Sequence, residues 1–166
     1  MENNNTHPEK AYFASGCFWG TEYHFAKAVG VIETTVGFTG GHKPNPTYNE
    51  VYTDTTGHAE TVEVVFDPSK TSYESLVKLF FETHDFTQTD GQGPDTGDRY
   101  RSAIFYVDDK QKETAEKYIE ILTDKGRKPA TKIEEIRAFW PAEEYHQDYY
   151  EKTGGNPYCH IYEKIF

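Results

Sequence analysis

The sequence predicts an α+β fold, a two-layer sandwich of helices on a mixed sheet, and three observations predict it. Apolar periodicity switches repeatedly between two and 3.6 residues. Two neighbouring strands sit in the middle of the chain. No linker or repeat divides the 166 residues, a length that suits one domain.

Residues Lys10–Ser15 read as a short strand that Gly16 breaks. Phe18 to Val29 reads as a helix, with Phe18, Phe25 and Val29 near one face and Gly30 as its stop. Val31–Gly40 is rich in Thr and Val and reads as a strand. Gly40 to Thr56 reads as a loop, with Pro44, Asn45 and Pro46 as turn formers. His58–Phe66 alternates, Val62, Val64 and Phe66 against Thr61 and Glu63, which is the pattern of a half-buried strand. Thr71 and Glu74 form a capping-box pattern before a helix that aligns Tyr73, Leu76, Val77 and Phe80. Thr87–Asp98 reads as a Gly- and Asp-rich loop and Arg99–Val107 as a strand. A helix starts near Asp108, carries Ala115, Tyr118, Ile119 and Leu122 on one face, and ends at Gly126. Thr131–Ala138 reads as a weaker strand and Pro141–Lys152 as a short helix. The order β-α-β-β-α-β, then α-β-α, has the split βαβ (ferredoxin-like) core as its closest named motif. A single domain over 1–166 is expected, with 1–9 poorly ordered and 153–166 a long, irregular, mobile C-terminal tail.

Seventeen basic against 28 acidic side chains leave a net charge of −11. Such a chain repels phosphate backbones, so neither nucleic acid nor an anionic membrane is an expected partner. Aromatics at 16% argue against disorder. No apolar run has the length of a transmembrane helix, and the N-terminus lacks the apolar stretch of a signal peptide. The expected location is cytoplasmic and the expected state a monomer. Two cysteines, Cys17 and Cys159, are too few for a disulfide scaffold and lack zinc-site spacing.

Cys17 follows a strand and a glycine and opens a helix. The unpaired N–H groups and dipole there favour a thiolate and lower its pKa. The same position also suits an inert cysteine that packs as a small hydrophobe. Phe18 and Trp19 beside it serve either a core or an apolar pocket. Glu60 shares strand parity with Val62, Val64 and Phe66, so its carboxyl points to the apolar face. There its pKa rises and it can act as an acid. A strand-end carboxylate turned to solvent is the other reading. His58 and Glu60 at i, i+2 could chelate, and His84 and Asp85 lie together. Yet no HExxH, facial triad or CxxC pattern supports a metal, and no phosphate-cradling loop is present.

Five blocks coincide with a family. Gly16-Cys17-Phe18-Trp19-Gly20, Gly37-Phe38-Thr39-Gly40-Gly41, Pro46-Thr47-Tyr48, Thr56-Gly57-His58-Ala59-Glu60 and Tyr100-Arg101-Ser102-Ala103-Ile104 resemble the A-type peptide methionine sulfoxide reductases in order and spacing. The resemblance runs from about Ala11 to Tyr150. It implies a peptide-methionine (S)-S-oxide reductase acting on oxidised proteins or free methionine sulfoxide. It implies Cys17 as nucleophile, Glu60 as the acid that protonates the sulfoxide oxygen, and Tyr48 and Tyr100 as donors to that oxygen. Phe18 and Trp19 would form the methyl pocket, and Asp95 would help bind substrate. It also implies a sulfenic acid on Cys17, resolved by Cys159 as a disulfide that thioredoxin reduces, with no metal or bound cofactor. Two departures stand out. Asn49-Glu50-Val51-Tyr52 replaces a segment that often holds a cysteine, and no glycine separates Pro157 from Tyr158. A thiol hydrolase with a histidine base, or a redox sensor built on Cys17, are the rival readings of the residues alone.

Overall fold

The computed structural model describes residues 7–158 and 160–166. Among the described residues, eight strands and five α-helices run in the order β1 (Glu9–Ser15), α1 (Phe18–Ala26), β2 (Val31–Thr39), α2 (Tyr48–Tyr52), β3 (Ala59–Phe66), α3 (Tyr73–Glu82), β4 (Gly91–Gln92), β5 (Asp95–Thr96), β6 (Ser102–Tyr106), α4 (Asp109–Asp124), β7 (Lys132–Glu135), β8 (Trp140–Pro141) and α5 (Tyr149–Thr153). Six strands form one sheet in the order β7-β6-β1-β3-β2-β8. All neighbours are antiparallel except β6 and β7, so the sheet is mixed, as expected. Strands β4 and β5 make a separate two-stranded hairpin. Among the described residues no helix is long and apolar enough to cross a membrane.

The main core lies between the sheet and helices α1, α3 and α4. Phe13, Phe25, Val62, Val64, Phe66, Leu76, Val77, Phe80 and Leu122 are buried there. Phe13 sits at its centre, its ring stacked on Phe25 at 4.8 Å and on Phe80 at 5.4 Å. The opposite sheet face buries Tyr12, Ala14, Ala59, Ala103 and Phe105 under Ile136 and Phe139. Both faces of β1 are therefore covered, and its residues from Ala11 on are all buried.

Several boundaries differ from the sequence expectation, each for a local reason. Helix α1 stops at Ala26, because Ala28 N–H bonds back to Phe25 O and Val31 N–H to Ala28 O. Val29 is thereby left outside the helix and exposed. The loop read over 40–56 contains α2, closed by a capping box in which Thr47 and Glu50 serve each other's backbone N–H. The cap of α3 is Ser72, bonded to Ser75 N–H, rather than Thr71. The strand read from Arg99 begins at Ser102, after a 3₁₀ turn at Asp98–Tyr100. The helix read over 141–152 is broken up. Pro141 pairs with Gly37 in β8, Ala142 N–H bonds to Val36 O, and only Tyr149–Thr153 is α-helical. The Gln147 side chain occupies both the N–H and the C=O of Val36, so pairing with β2 outcompetes a local helix. Gly37 permits this approach, since a Cβ there would meet the Phe139 ring at 2.6 Å.

The described residues after α5 have no regular structure, yet the end of the tail is tied down. Ile165 N–H donates to Glu82 Oε2 at 2.8 Å, and Phe166 meets Tyr118 edge-on. The disorder expected for 1–9 falls largely outside the described residues, and Glu9 already belongs to β1.

Replacing Phe13 by alanine leaves a cavity at the junction of three rings. It should cost about 3–5 kcal/mol of stability, read as a lower urea midpoint with an unchanged m-value.

Candidate active site

Cys17 occupies the N-cap of α1, on a turn that Gly16 makes at φ +101°. A Cβ at Gly16 would meet the Gln92 side chain at 2.6 Å. The thiol is partly buried. Burial pushes its pKa up, and the charge of Glu60 pushes the same way. The N–H groups of Trp19 and Gly20 pull it down, as the helix start predicts, but burial prevails. The expectation of a lowered thiol pKa is thus corrected for the free protein.

Glu60 lies at the start of β3, opposite Phe38 in the register with β2. It is 1% exposed, so its carboxyl follows the strand parity inward. Its Oε1 accepts from the Phe18 N–H at 3.3 Å, and the buried Oε2 has no hydrogen-bond partner among the described residues. Burial raises its pKa to about 8, against weaker opposing pulls from the Phe18 N–H and the Arg99 charge. Asp95 and Asp54 add to the rise. At neutral pH this carboxyl is largely protonated.

The aromatic residues close around this pair. The Phe18 ring is fully buried and lies 5.6 Å from Phe38 and 6.3 Å from Tyr48. Trp19 stacks on Tyr149 at 3.8 Å. Tyr48 opens α2, its N–H held by Glu143 Oε1. Tyr100 ends the 3₁₀ turn, and Arg99 lies over its ring at 4.3 Å. Burial raises the pKa of both phenols, that of Tyr100 to about 12, so both keep their protons. Both feel the charges of Glu60 and Cys17, which places the four groups around one locus. Asp95, on β5, acts electrostatically on Cys17 and Glu60 and accepts from the Tyr158 hydroxyl. Cys159 lies outside the described residues. His58 faces elsewhere, its ring nitrogens engaged by Gly41 N–H and Lys43 O.

A family model described as peptide methionine sulfoxide reductase matches residues 9–165. The chain belongs to this family. A peptide methionine sulfoxide reductase MsrA from Methanococcoides burtonii is 50% identical over 147 residues, spanning 87% of this chain and 96% of that protein. Mxr1 of Saccharomyces cerevisiae in reduced form superposes with a TM-score of 0.87 at 33% identity, over 97% of this chain and 95% of that one. Mxr1 is also known in complex with Trx2, with a TM-score of 0.63, 25% identity and coverage of 98% and 94%. Membership of the family sets aside the thiol hydrolase and redox-sensor readings.

Two contributors to this reductase site and one neighbour of its Cys17 turn escaped the sequence reading. His146 is buried, and its Nδ1 accepts from the Trp19 indole N–H at 3.1 Å. Its ring lies 4.4 Å from that of Tyr48 and 5.4 Å from that of Phe18, so it supports both walls. Arg99 is bound to Asp54 through both its Nη1 at 2.5 Å and its backbone N–H, and lies between the Tyr52 and Tyr100 rings. His160 packs on the Cys17 turn. Only Arg99 had a legible signal, as the neighbour of Tyr100; the histidines arrive from segments read as a helix and a free tail.

The raised Glu60 pKa has a thermodynamic consequence. Between the ordinary carboxylate value of 4.5 and about 8, the folded protein holds a proton that the unfolded chain has released. Stability contributed by this group is full below 4.5 and is lost as pH climbs through 8. Glu22, raised to about 7 by burial, adds a slope of the same sign. Buried His84 and His160, held neutral in the fold, give the opposite slope below their ordinary value of 6.5, so unfolding free energies from urea titrations should fall between pH 7 and 8. Glu60→Gln should remove part of that slope, and an unchanged slope would show that Glu60 is ionised in the fold.

Proposed function

We propose that this methionine sulfoxide reductase acts on methionine (S)-sulfoxide, in proteins or free, through Cys17 as nucleophile and Glu60 as general acid. The observation that carries the reading is the buried Glu60 carboxyl, bonded to the amide that follows Cys17 and with one oxygen that no donor among the described residues reaches. The sulfoxide oxygen leaves poorly until it is protonated, and a carboxyl kept neutral at pH 7 can supply that proton. The phenols of Tyr48 and Tyr100 donate to the same oxygen where charge develops. Phe18 and Trp19 receive the methyl group and exclude water, and Asp95 helps bind the rest of the substrate. The order of fourth, first, third and second strand in β6-β1-β3-β2 supports a split βαβ core beneath this site.

The resting thiol carries its proton, so the attack needs help. Protonating the sulfoxide oxygen leaves positive charge on sulfur beside Cys17. That charge, with the Trp19 and Gly20 N–H groups, favours the thiolate in the substrate complex. The Cys17 sulfur then bonds to the substrate sulfur, the hydroxyl passes to the Cys17 sulfur as the S–S and substrate S–O bonds break, and methionine departs, leaving Cys17 as sulfenic acid. Cys159 condenses with it, and thioredoxin reduces the resulting disulfide. The Mxr1–Trx2 complex supports a reductant of this kind. A reducing compartment such as the cytoplasm suits both thiols.

Two measurements check this reading. Given separated sulfoxide epimers and dithiothreitol, the protein should reduce the S form, and Cys17→Ser should abolish turnover while keeping the fold. Reduction of the R form instead, or turnover by folded Cys17→Ser, refutes it. The first-turnover rate should fall as pH rises past about 8, where Glu60 loses its proton. Glu60→Gln should slow that step roughly 10²–10⁴-fold and flatten this limb; an effect on KM alone would exclude the acid role.

A further inference from the structure

The residue next to Cys159 in the chain, His160, is 3% exposed although it sits in an irregular tail. Its Nε2 donates to the Ser15 carbonyl at 2.6 Å, one residue before the Gly16-Cys17 turn. Its own carbonyl accepts from His24 Nε2 on α1 at 2.5 Å. The ring presses on Gly20, where a Cβ would run into Nδ1, Cγ and Cε1. It also borders Gly16, whose Cβ would lie 3.6 Å from Cε1. The two glycines that bracket Cys17 are thus the floor on which this imidazole rests. Burial holds its pKa down at about 4, so the ring is neutral at physiological pH and donates from Nε2. Beyond it, Glu163 N–H bonds to Glu82 O and Ile165 N–H to Glu82 Oε2. On the Cys17 side this segment is held by the His160 contacts and by the Tyr158 hydroxyl on Asp95, and the described residues further on are fixed to α3.

We infer that His160 is a positioning residue for the resolving step, docking the peptide that carries Cys159 against the Cys17 turn. This rests on the proposed resolving role of Cys159. In that step the Cys159 thiolate attacks the sulfenic sulfur of Cys17. An S–S bond forms, the S–O bond breaks, and the departing hydroxide takes up a proton to leave as water. The two electrons that reduced the sulfoxide are later restored by the thioredoxin dithiol. The dock brings Cys159 into play only after methionine has left. The second half depends on the local concentration and orientation of the Cys159 thiol, and well-oriented partners outrun flexibly tethered ones by orders of magnitude.

The test separates the two halves. Without reductant, one equivalent of (S)-sulfoxide is added, and released methionine and remaining free thiol are followed in quenched samples. In the native protein both thiols should disappear with the methionine burst. His160→Ala should release methionine within about twofold of the native rate, while loss of the second thiol lags at least tenfold. His160→Gln, whose amide can still donate to Ser15 O, should recover part of the lag. His24→Ala removes the bond to the His160 carbonyl, along with an edge contact on Tyr23, and should give a smaller lag; it carries the test if His160→Ala does not fold. Thiol loss at the native rate in these variants overturns the dock, as does a burst slowed by the same factor as the thiol loss. If Cys159→Ser instead cycles normally with thioredoxin, the resolving role itself fails, an outcome distinct from failure of the dock.

Discussion

The Phe18 amide donates to Glu60 Oε1 across 3.3 Å of buried space, joining a helix start to a strand that lies 42 residues further along the chain. The bond has two consequences. It fixes the acid beside the thiol-bearing turn, because Phe18 is the residue after Cys17. It also satisfies only one carboxyl oxygen, so the group is held by protein without being compensated as an anion. A second donor, or a closer cation, would have favoured ionisation. Arg99 is the cation at hand, and Asp54 binds its Nη1 and backbone N–H. Its pull on Glu60 therefore loses to burial.

The blocks that signal the family in the sequence meet one another in space, and their contacts hold β3 where this bond needs it. Gly41 N–H donates to His58 Nδ1, His42 N–H to Thr56 O, and the Arg101 guanidinium to Gly57 O. Gly41 lies so close to His58 N that a side chain there would displace the turn. Most of these residues touch no reacting group. They set the entry of β3 into the sheet, and hence the depth at which Glu60 is buried. A change at Arg101 would act on catalysis through that depth.

Local pattern made the interior of the sheet legible. Alternation over β3 placed Glu60 on the inner face because parity is a property of the backbone alone. Helix α3 and its apolar face were equally plain. Helix α2 was readable too, since Thr47-x-x-Glu50 is a capping box, but the prolines before it argued for a loop. What sequence could not reveal depends on distant partners. Residues 141–152 have helical composition, yet the open edge of β2 offers Val36 and Gly37 for pairing, and Gln147 completes that edge with its side chain. His146 is carried to Trp19 by this detour. His160 gave no periodic signal, because one imidazole filling a gap between glycines has no period.

The electrostatic state of the resting site follows from the same geometry. Burial raises the pKa of the thiol, the carboxyl and both phenols alike, so it favours the uncharged form of each. A permanent thiolate beside a buried carboxylate would leave two uncompensated anions in a low-dielectric space. Keeping every proton in place avoids that cost and stores the acid in its useful form. The N–H groups of Trp19 and Gly20 add little against burial in the resting protein. They acquire weight once a polarised sulfur lies alongside, because their dipoles are already oriented and need no reorganisation as charge appears. An exposed cysteine at a helix start would be more acidic at rest, but it would face water instead of an acid able to release the oxygen.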